Sequence, residues 1–331
     1  MTRTKLVTGV RPTGDLHLGN YFGALRDLAD LQNRYDAHVF IADIHSLTTH
    51  PRATELGKRV IETAKSYLAA GLDPGRCTFY VQSALAAEIC ELHTYLSMVM
   101  PLGDLLRCPT FKEKAKRHPD NVNYGLVGYP VLMAADVLLH HGEAVPVGED
   151  QLPHLEIARS IARRFNRVYG TRFPEPQPVA AHAVRLPSLS GNGKMSKSDD
   201  PDSCIGLDDD PDAIAAKTMR AYSDPLRRYR HEPGHPTPDG CNVFRLHTFV
   251  TDAEKRERLA TGCLAAEIGC TDCKRTLAES IASIVEPFRQ RKRAIRDADV
   301  AEALALGRDK ARESAQRTLA EVRRAIGLMT V

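Results

Sequence analysis

The chain has 331 residues, 43% of them hydrophobic, with a formal net charge of +3, eight cysteines and no tryptophan. This is enough apolar material for a large core and about two domains, and it excludes a disordered or collagen-like chain. The near-balance of charge neither demands nor excludes a nucleic-acid partner, although the tail from Arg289 onward is richer in Arg and Lys than in acids.

In chain order, residues 5–10 read as a first strand, and a helix-like stretch follows over 21–35. Strand-like runs recur at 39–43, 77–81 and 144–147, with helical stretches at 56–70, 88–99, 131–140 and 155–169. Strands alternating with helix-length segments imply an α/β chain with a doubly wound parallel (Rossmann-like) sheet. Such sheets bind ligands at the carboxyl ends of their strands, so chemistry is expected directly after each strand. From about Pro211 the pattern is helical and strand-poor, ending in RTLAEVRRAIGLM. No secretory signal, membrane-length apolar run or internal repeat is visible. A soluble cytoplasmic protein is therefore expected, whose cysteines are thiols or metal ligands rather than disulfides.

The first strand leads into GVRPTGDLHLGNYFGAL, which contains neither a GxGxxG fingerprint nor a P-loop. The turn presents His17, Gly19 and Asn20 where a helix begins. Gly19 lets another group approach the backbone, while His17 and Asn20 offer hydrogen bonds to an anion at the helix N-terminus. Asn20 as a mere helix cap is the plainer alternative. A later stretch, GNGKMSKSDD, carries two lysines with no apolar periodicity, so it reads as a loop. In the helix near 131–140, Tyr129, Met133, Asp136 and His140 fall on one face, and Asp136 is an acid in an otherwise apolar run. Four cysteines, Cys241, Cys263, Cys270 and Cys273, are spaced C-x21-C-x6-C-x2-C, as a tetrahedral metal or a cubane cluster requires. Cys77, Cys90, Cys108 and Cys204 are scattered and read as ordinary thiols.

His17-Leu18-Gly19-Asn20 followed by Lys194-Met195-Ser196-Lys197-Ser198 resembles the two signatures of the class I aminoacyl-tRNA synthetases. YPVLMAADVLLHHGEAVPVGEDQLPHLEIAR, together with GVRPTG, FKEK and RFPEP, is similar to the bacterial-type tryptophanyl-tRNA synthetases. One departure is Asn20, which stands where the first signature usually carries a second histidine. The resemblance runs from Leu6 to the carboxyl terminus. It implies a catalytic domain over 1–200 and a helical anticodon-binding domain over 201–331, whose last helix (about 305–328) returns to the catalytic half. It also implies ATP with Mg2+, L-tryptophan and tRNA(Trp) as ligands, and a homodimer.

Site residues follow by the same resemblance. Lys194, Lys197, His17 and Asn20 are expected to act in catalysis, the lysines closing over the pyrophosphate as charge builds there. Arg11, Pro12, Thr13, Gly19, Asn20, Gly148, Glu149, Asp150, Leu186 and Lys194–Ser198 (Lys194, Met195, Ser196, Lys197, Ser198) are expected around ATP. Asp136 is expected to accept the indole N–H, a group that only donates, inside walls made by Met133, Val145 and Val147. Gly9, His45, Tyr129 and Gln151 complete the amino-acid site, and Lys114 stands near ATP or the partner subunit. A subset of the family uses a cysteine spacing one residue longer in its first gap to hold a [4Fe–4S] cluster; zinc is the alternative here. Arg289, Arg291, Lys292, Arg293 and Arg296 form a basic cluster suited to RNA phosphates. Competing readings are a tyrosyl-tRNA synthetase, a nucleotidylyltransferase that binds no tRNA, and a catalytically dead RNA-binding paralogue.

Overall fold

Short runs of Val, Ile, Leu and Phe bury both faces of their strands, and such runs pair in parallel beneath covering helices. The computed structural model describes residues 3–12, 16–49, 52–117, 119–148, 151–180, 184–196 and 201–329. Among them, five strands form one sheet: β1 (Lys5–Val10), β2 (Asp36–Ile41), β3 (Thr78–Val81), β4 (Ala144–Val147) and β5 (Gln177–Ala180). Their order is β3-β2-β1-β4-β5 and every pairing is parallel. The order reverses at β1, so the crevice beyond the ends of β1 and β4 is the place for a ligand.

Two apolar clusters sandwich the sheet. Leu6, Val39 and Phe79 face Leu25, Leu28 and three residues of the second half, Leu277, Ile281 and Phe288. Val7, Phe40 and Tyr80 face Leu92, Leu138 and Phe165. The last helix, Asp297–Ala325, runs along β3 and covers that edge, which would otherwise offer unpaired backbone groups. Gly307 makes this approach possible, because any Cβ there would overlap the backbone of Phe79. Arg312 pairs with Glu88 at 3.1 Å and Arg323 with Glu91, fixing the same helix to its neighbour Ala86–Ser97.

Several elements differ from the sequence reading, among them the last helix, which begins at Asp297 rather than near 305. β2 begins at Asp36 and ends at Ile41, and Asp43 opens a short helix, Asp43–Ser46. The helix read at 131–140 begins seven residues earlier, as Tyr124–Leu138, capped by Asn123, whose side chain accepts the Leu126 N–H at 3.1 Å. It continues through Pro130, which removes one helical donor. β5 was not anticipated; Pro178 inside it suits an edge strand.

Beneath the sheet, His140 stacks on His38 with ring centroids 4.5 Å apart, and the Tyr80 hydroxyl lies 3.0 Å from His140 Nε2. Nδ1 of each imidazole is buried without a hydrogen-bond partner. Burial pushes His38 down to about 4 and lowers His140 as well. An unfolded histidine titrates near 6.5, so between roughly pH 4 and 6.5 the unfolded chain binds more protons than the folded one. Stability is therefore present in full above that window and falls as pH drops through it. Urea midpoints measured from pH 7 to pH 4 are expected to decline, and His38→Gln is expected to flatten the decline. An unchanged slope in that variant would remove the pair from the account.

Candidate active site

A cavity of about 410 Å³ opens at the carboxyl ends of β1 and β4. Its inner end is a carboxylate. Asp136 is 1% exposed, and its oxygens are held by two neighbours. Gln82 Nε2 donates to both, at 2.9 Å each, and His45 Nε2 lies 2.9 Å from Oδ2. Gln82 is itself oriented, since its Oε1 accepts the His45 backbone N–H at 3.3 Å. Gln82 directly follows β3 and His45 lies in the short helix after β2, so strand order brings both to the helix that carries Asp136. Tyr129 and Met133, seven and three residues before Asp136, line the same cavity, opposite Val145 and Val147 of β4. His140 has left the helix and packs on His38 instead.

A second polar group sits further out. The Tyr129 hydroxyl donates to Thr110 Oγ1 at 2.9 Å and meets His154 Nε2, which also meets Thr110. On its other side, His154 Nδ1 lies 2.8 Å from Gln151 Oε1. The Lys114 ammonium stands 4.0 Å over the Tyr129 ring, a cation–π contact. Burial first, and the nearby Arg11 charge second, push the Lys114 pKa down. Arg11, Gly148 and Gly9 complete the lining; a side chain at Gly9 would collide with the Phe40 ring.

The signature turn and the lysine loop meet each other. A Cβ on Gly19 would lie 2.9 Å from His17 Nδ1 and 3.6 Å from Met195 Cβ, so the glycine allows the two segments to touch. Asn20 Oδ1 accepts the His17 backbone N–H at 3.0 Å, which is the capping role. The turn is tied to the following segment by Leu18 N–H to the Ile205 carbonyl and Leu207 N–H to the Leu16 carbonyl, both 2.9 Å. Met195 N–H donates to the Leu186 carbonyl at 2.8 Å, and both side chains are buried in the core beside Leu18. Lys194 is exposed, Ser196 is half-buried and Pro12 is buried. Thr13, Glu149, Asp150, Lys197 and Ser198 lie outside the described residues.

Gly9, Arg11, His45, Tyr129, Met133, Asp136, Val145, Val147, Gly148 and Gln151 thus share one cavity. His17, Gly19, Leu186 and Met195 gather around the base of the lysine loop. Sequence reasoning missed Gln82, Thr110 and His154. The rule that ligand groups follow strands points to Gln82, which comes straight after Val81; Thr110 and His154 give no such signal.

Away from this site, Cys241, Cys263, Cys270 and Cys273 line one narrow cavity together with Asp224 and Arg227. Arg227 Nη1 lies 3.7 Å from Cys263 Sγ. Burial raises the thiol pKa of Cys241 and Cys263 and pushes Cys273 up to about 12, the neighbouring cysteines adding to the effect. By donor chemistry, four thiols around one space suit a soft metal centre. Among the described residues, no three His, Cys, Asp or Glu side chains stand close enough to hold a metal ion. No helix among them is long and apolar enough to cross a membrane.

Comparison with known proteins places the chain. Residues 1–286 match the family model described as tRNA synthetases class I (W and Y). The tryptophan–tRNA ligase of Porphyromonas gingivalis is 44% identical over 328 residues, covering 97% of this chain and 98% of that protein. That of Aquifex aeolicus is 35% identical over 399 residues, covering 98% and 100%. The crystal structure of tryptophanyl-tRNA synthetase from Campylobacter jejuni complexed with ADP and tryptophan has a TM-score of 0.89 at 30% identity, covering 98% of this chain and all of that one. Motifs, sheet order and overall likeness agree, and the chain belongs to the class I tryptophanyl- and tyrosyl-tRNA synthetase family, among its bacterial tryptophan–tRNA ligases.

Proposed function

We infer that the chain activates L-tryptophan with ATP and then transfers it to the 3′ end of tRNA(Trp). In the first step the amino-acid carboxylate attacks the α-phosphate, tryptophanyl-adenylate forms and pyrophosphate leaves. An ionised carboxylate needs no general base, so the site has to align two reactants and stabilise charge on phosphate oxygens. The observation that carries the reading is polarity: a buried carboxylate at the inner end of the cavity and cations at its mouth.

Asp136 accepts the indole N–H with the lone pairs left free by Gln82 and His45, and Met133, Val145 and Val147 enclose the ring. His45 serves as an orienting partner of Asp136. Tyr129 and Gln151 face the amino group, braced by Thr110 and His154. Arg11 and Lys114 stand where phosphates enter, with Mg2+ accompanying ATP. Gly148, Glu149 and Asp150 surround the ribose, Leu186 lies near the adenine, and Pro12, Thr13, Gly19 and Asn20 border the phosphates beside His17. Lys194 and Lys197, with Met195, Ser196 and Ser198, form the flap over the pyrophosphate.

The chain divides near residue 200 into a catalytic part and a helical part that carries the anticodon end of the tRNA. The exposed side chains Met98, Leu102, Leu106 and Tyr124, grouped on adjoining helices, support a homodimer. A cytoplasmic location accords with the ligase role. For the four-cysteine cavity we favour a [4Fe–4S] cluster over zinc. The four-thiol donor set around one cavity is what supports a soft centre of this kind. When bound, such a cluster would supply a rigid crosslink between Cys241, Cys263 and the Cys270–Ala294 helix.

Tryptophan-dependent pyrophosphate exchange into ATP, followed by charging of tRNA, tests the reading; exchange that follows tyrosine, or no amino acid, defeats it. Asp136→Asn is expected to lower kcat/KM for tryptophan about a hundredfold, with the KM for ATP little changed. Retention of wild-type kcat/KM would remove Asp136 from recognition. Lys197→Ala is expected to slow exchange by about a hundredfold while tryptophan still binds. Because the chain has no tryptophan of its own, indole fluorescence measures that binding directly. Iron content and visible absorbance of anaerobically purified protein are expected to show a cluster that is lost in Cys270→Ser; stoichiometric zinc without iron would reverse the preference.

A further inference from the structure

Residues 222–236 form an irregular loop whose acids, Asp224 and Glu232, are taken up by backbone N–H groups of the loop itself. Asp224 is buried and accepts the backbone N–H groups of Leu226 (2.8 Å), Arg227 (3.3 Å) and His235 (2.7 Å). Glu232 accepts those of Arg228 and Tyr229, both at 2.9 Å. The loop is also fastened to the cysteine helices. Arg227 Nη2 donates to the Ile268 carbonyl at 3.0 Å, and the Gly234 N–H donates to the Cys263 carbonyl at 3.0 Å. Gly234 itself packs so closely on Cys263 that a Cβ would overlap the sulfur.

What remains outward is cationic and aromatic. Arg228 and Arg230 are exposed, and neither pairs with a carboxylate among the described residues. Between and beside them, the Tyr229 and His231 rings stack with centroids 5.6 Å apart and planes 10° from parallel, although Tyr229 is 63% exposed. A preformed aromatic stack loses little entropy on receiving one more flat ring. Every nucleobase has such a face, and guanidinium groups left without carboxylates complement the phosphates on either side of it.

We propose that Tyr229 and His231 form a stacking platform for an unpaired nucleotide of the tRNA, with Arg228 and Arg230 on the flanking phosphates. The proposal rests on the charging activity inferred above and names a contact for it. Tyr229→Ala/His231→Ala in the full chain is expected to weaken tRNA(Trp) binding and raise the charging KM for tRNA about tenfold or more. Tryptophan-dependent exchange should stay at the wild-type rate, and Tyr229→Phe, which keeps the ring face, should bind as wild type. Photo-crosslinking from position 229 is expected at a loop nucleotide. Wild-type tRNA affinity in the double variant, a parallel loss of exchange, or a crosslink to a base-paired stem would each overturn the platform. Failure of the unaltered chain to charge any tRNA would instead fault the ligase reading, and that measurement comes first.

Discussion

A carboxylate sealed under a parallel sheet sets the terms for everything around it. Withdrawing such a group from water costs roughly several kcal/mol unless donors replace the lost solvent. Asp136 meets that demand with Gln82 and His45, which come from the ends of two different strands. Those ends must be held at fixed separation, and Asp43 does so by accepting both the Ile44 and the Ser83 backbone N–H groups on one oxygen. The adjacency of β2 and β3 is therefore a requirement of this carboxylate's setting. An acceptor held this way still has lone pairs to offer a group that can only donate, and a ligand without that group leaves it short of a partner.

The opposite end of the cavity has the opposite sign. Arg11 and Lys114 both line it; burial first, and repulsion from Arg11 second, lower the pKa of Lys114. In the function proposed above, an incoming polyphosphate offsets that repulsion. The cation–π contact with Tyr129 keeps the Lys114 side chain over the cavity. In that proposed function, one cavity sorts two substrates by charge: an aromatic N–H to the inner end, phosphates to the outer, with the reacting carboxylate and α-phosphate between them.

Much of this was legible because chain-local chemistry encodes it. Strands as short apolar runs, glycine where segments touch, and an acid amid Val131, Leu132 and Ala134 all show without a structure. The missing parts are those created by tertiary approach. Thr110 and His154 lie 44 residues apart and become a unit only when two helices pack around Tyr129. The stretch before Val131 reads as non-helical because Gly125, Gly128 and Pro130 interrupt the periodicity, yet burial of Leu126 and Tyr129 overrides that local preference. β5 has a proline within it and is only four residues long, so its one-sided pairing to β4 outweighs a sequence that resembles a loop.

The lysine loop shows how the two halves of the chain are made to act together. Its entry is pinned several times over. Leu189 N–H donates to the Ser203 carbonyl and Tyr222 N–H to the Leu189 carbonyl, both at 2.8 Å. Asn242 donates to the carbonyls of Ser188 and Leu189, at 3.0 and 3.4 Å. Gly191 and Gly193 take φ values of 79° and 70°, where a side chain would be strained, and Gly191 lies directly against the Tyr222 ring. Asn242 is the neighbour of Cys241, so the same turn that presents a sulfur to the four-cysteine cavity also fixes the base of the loop. With that base fixed to the helical half and Met195 packed against Gly19, the stretch between Gly191 and Met195 that carries Lys194 is anchored at both ends. The backbone that carries Lys194 is thereby held by both parts of the chain, so in the function proposed above its charge is presented from a fixed base on a long, flexible stem.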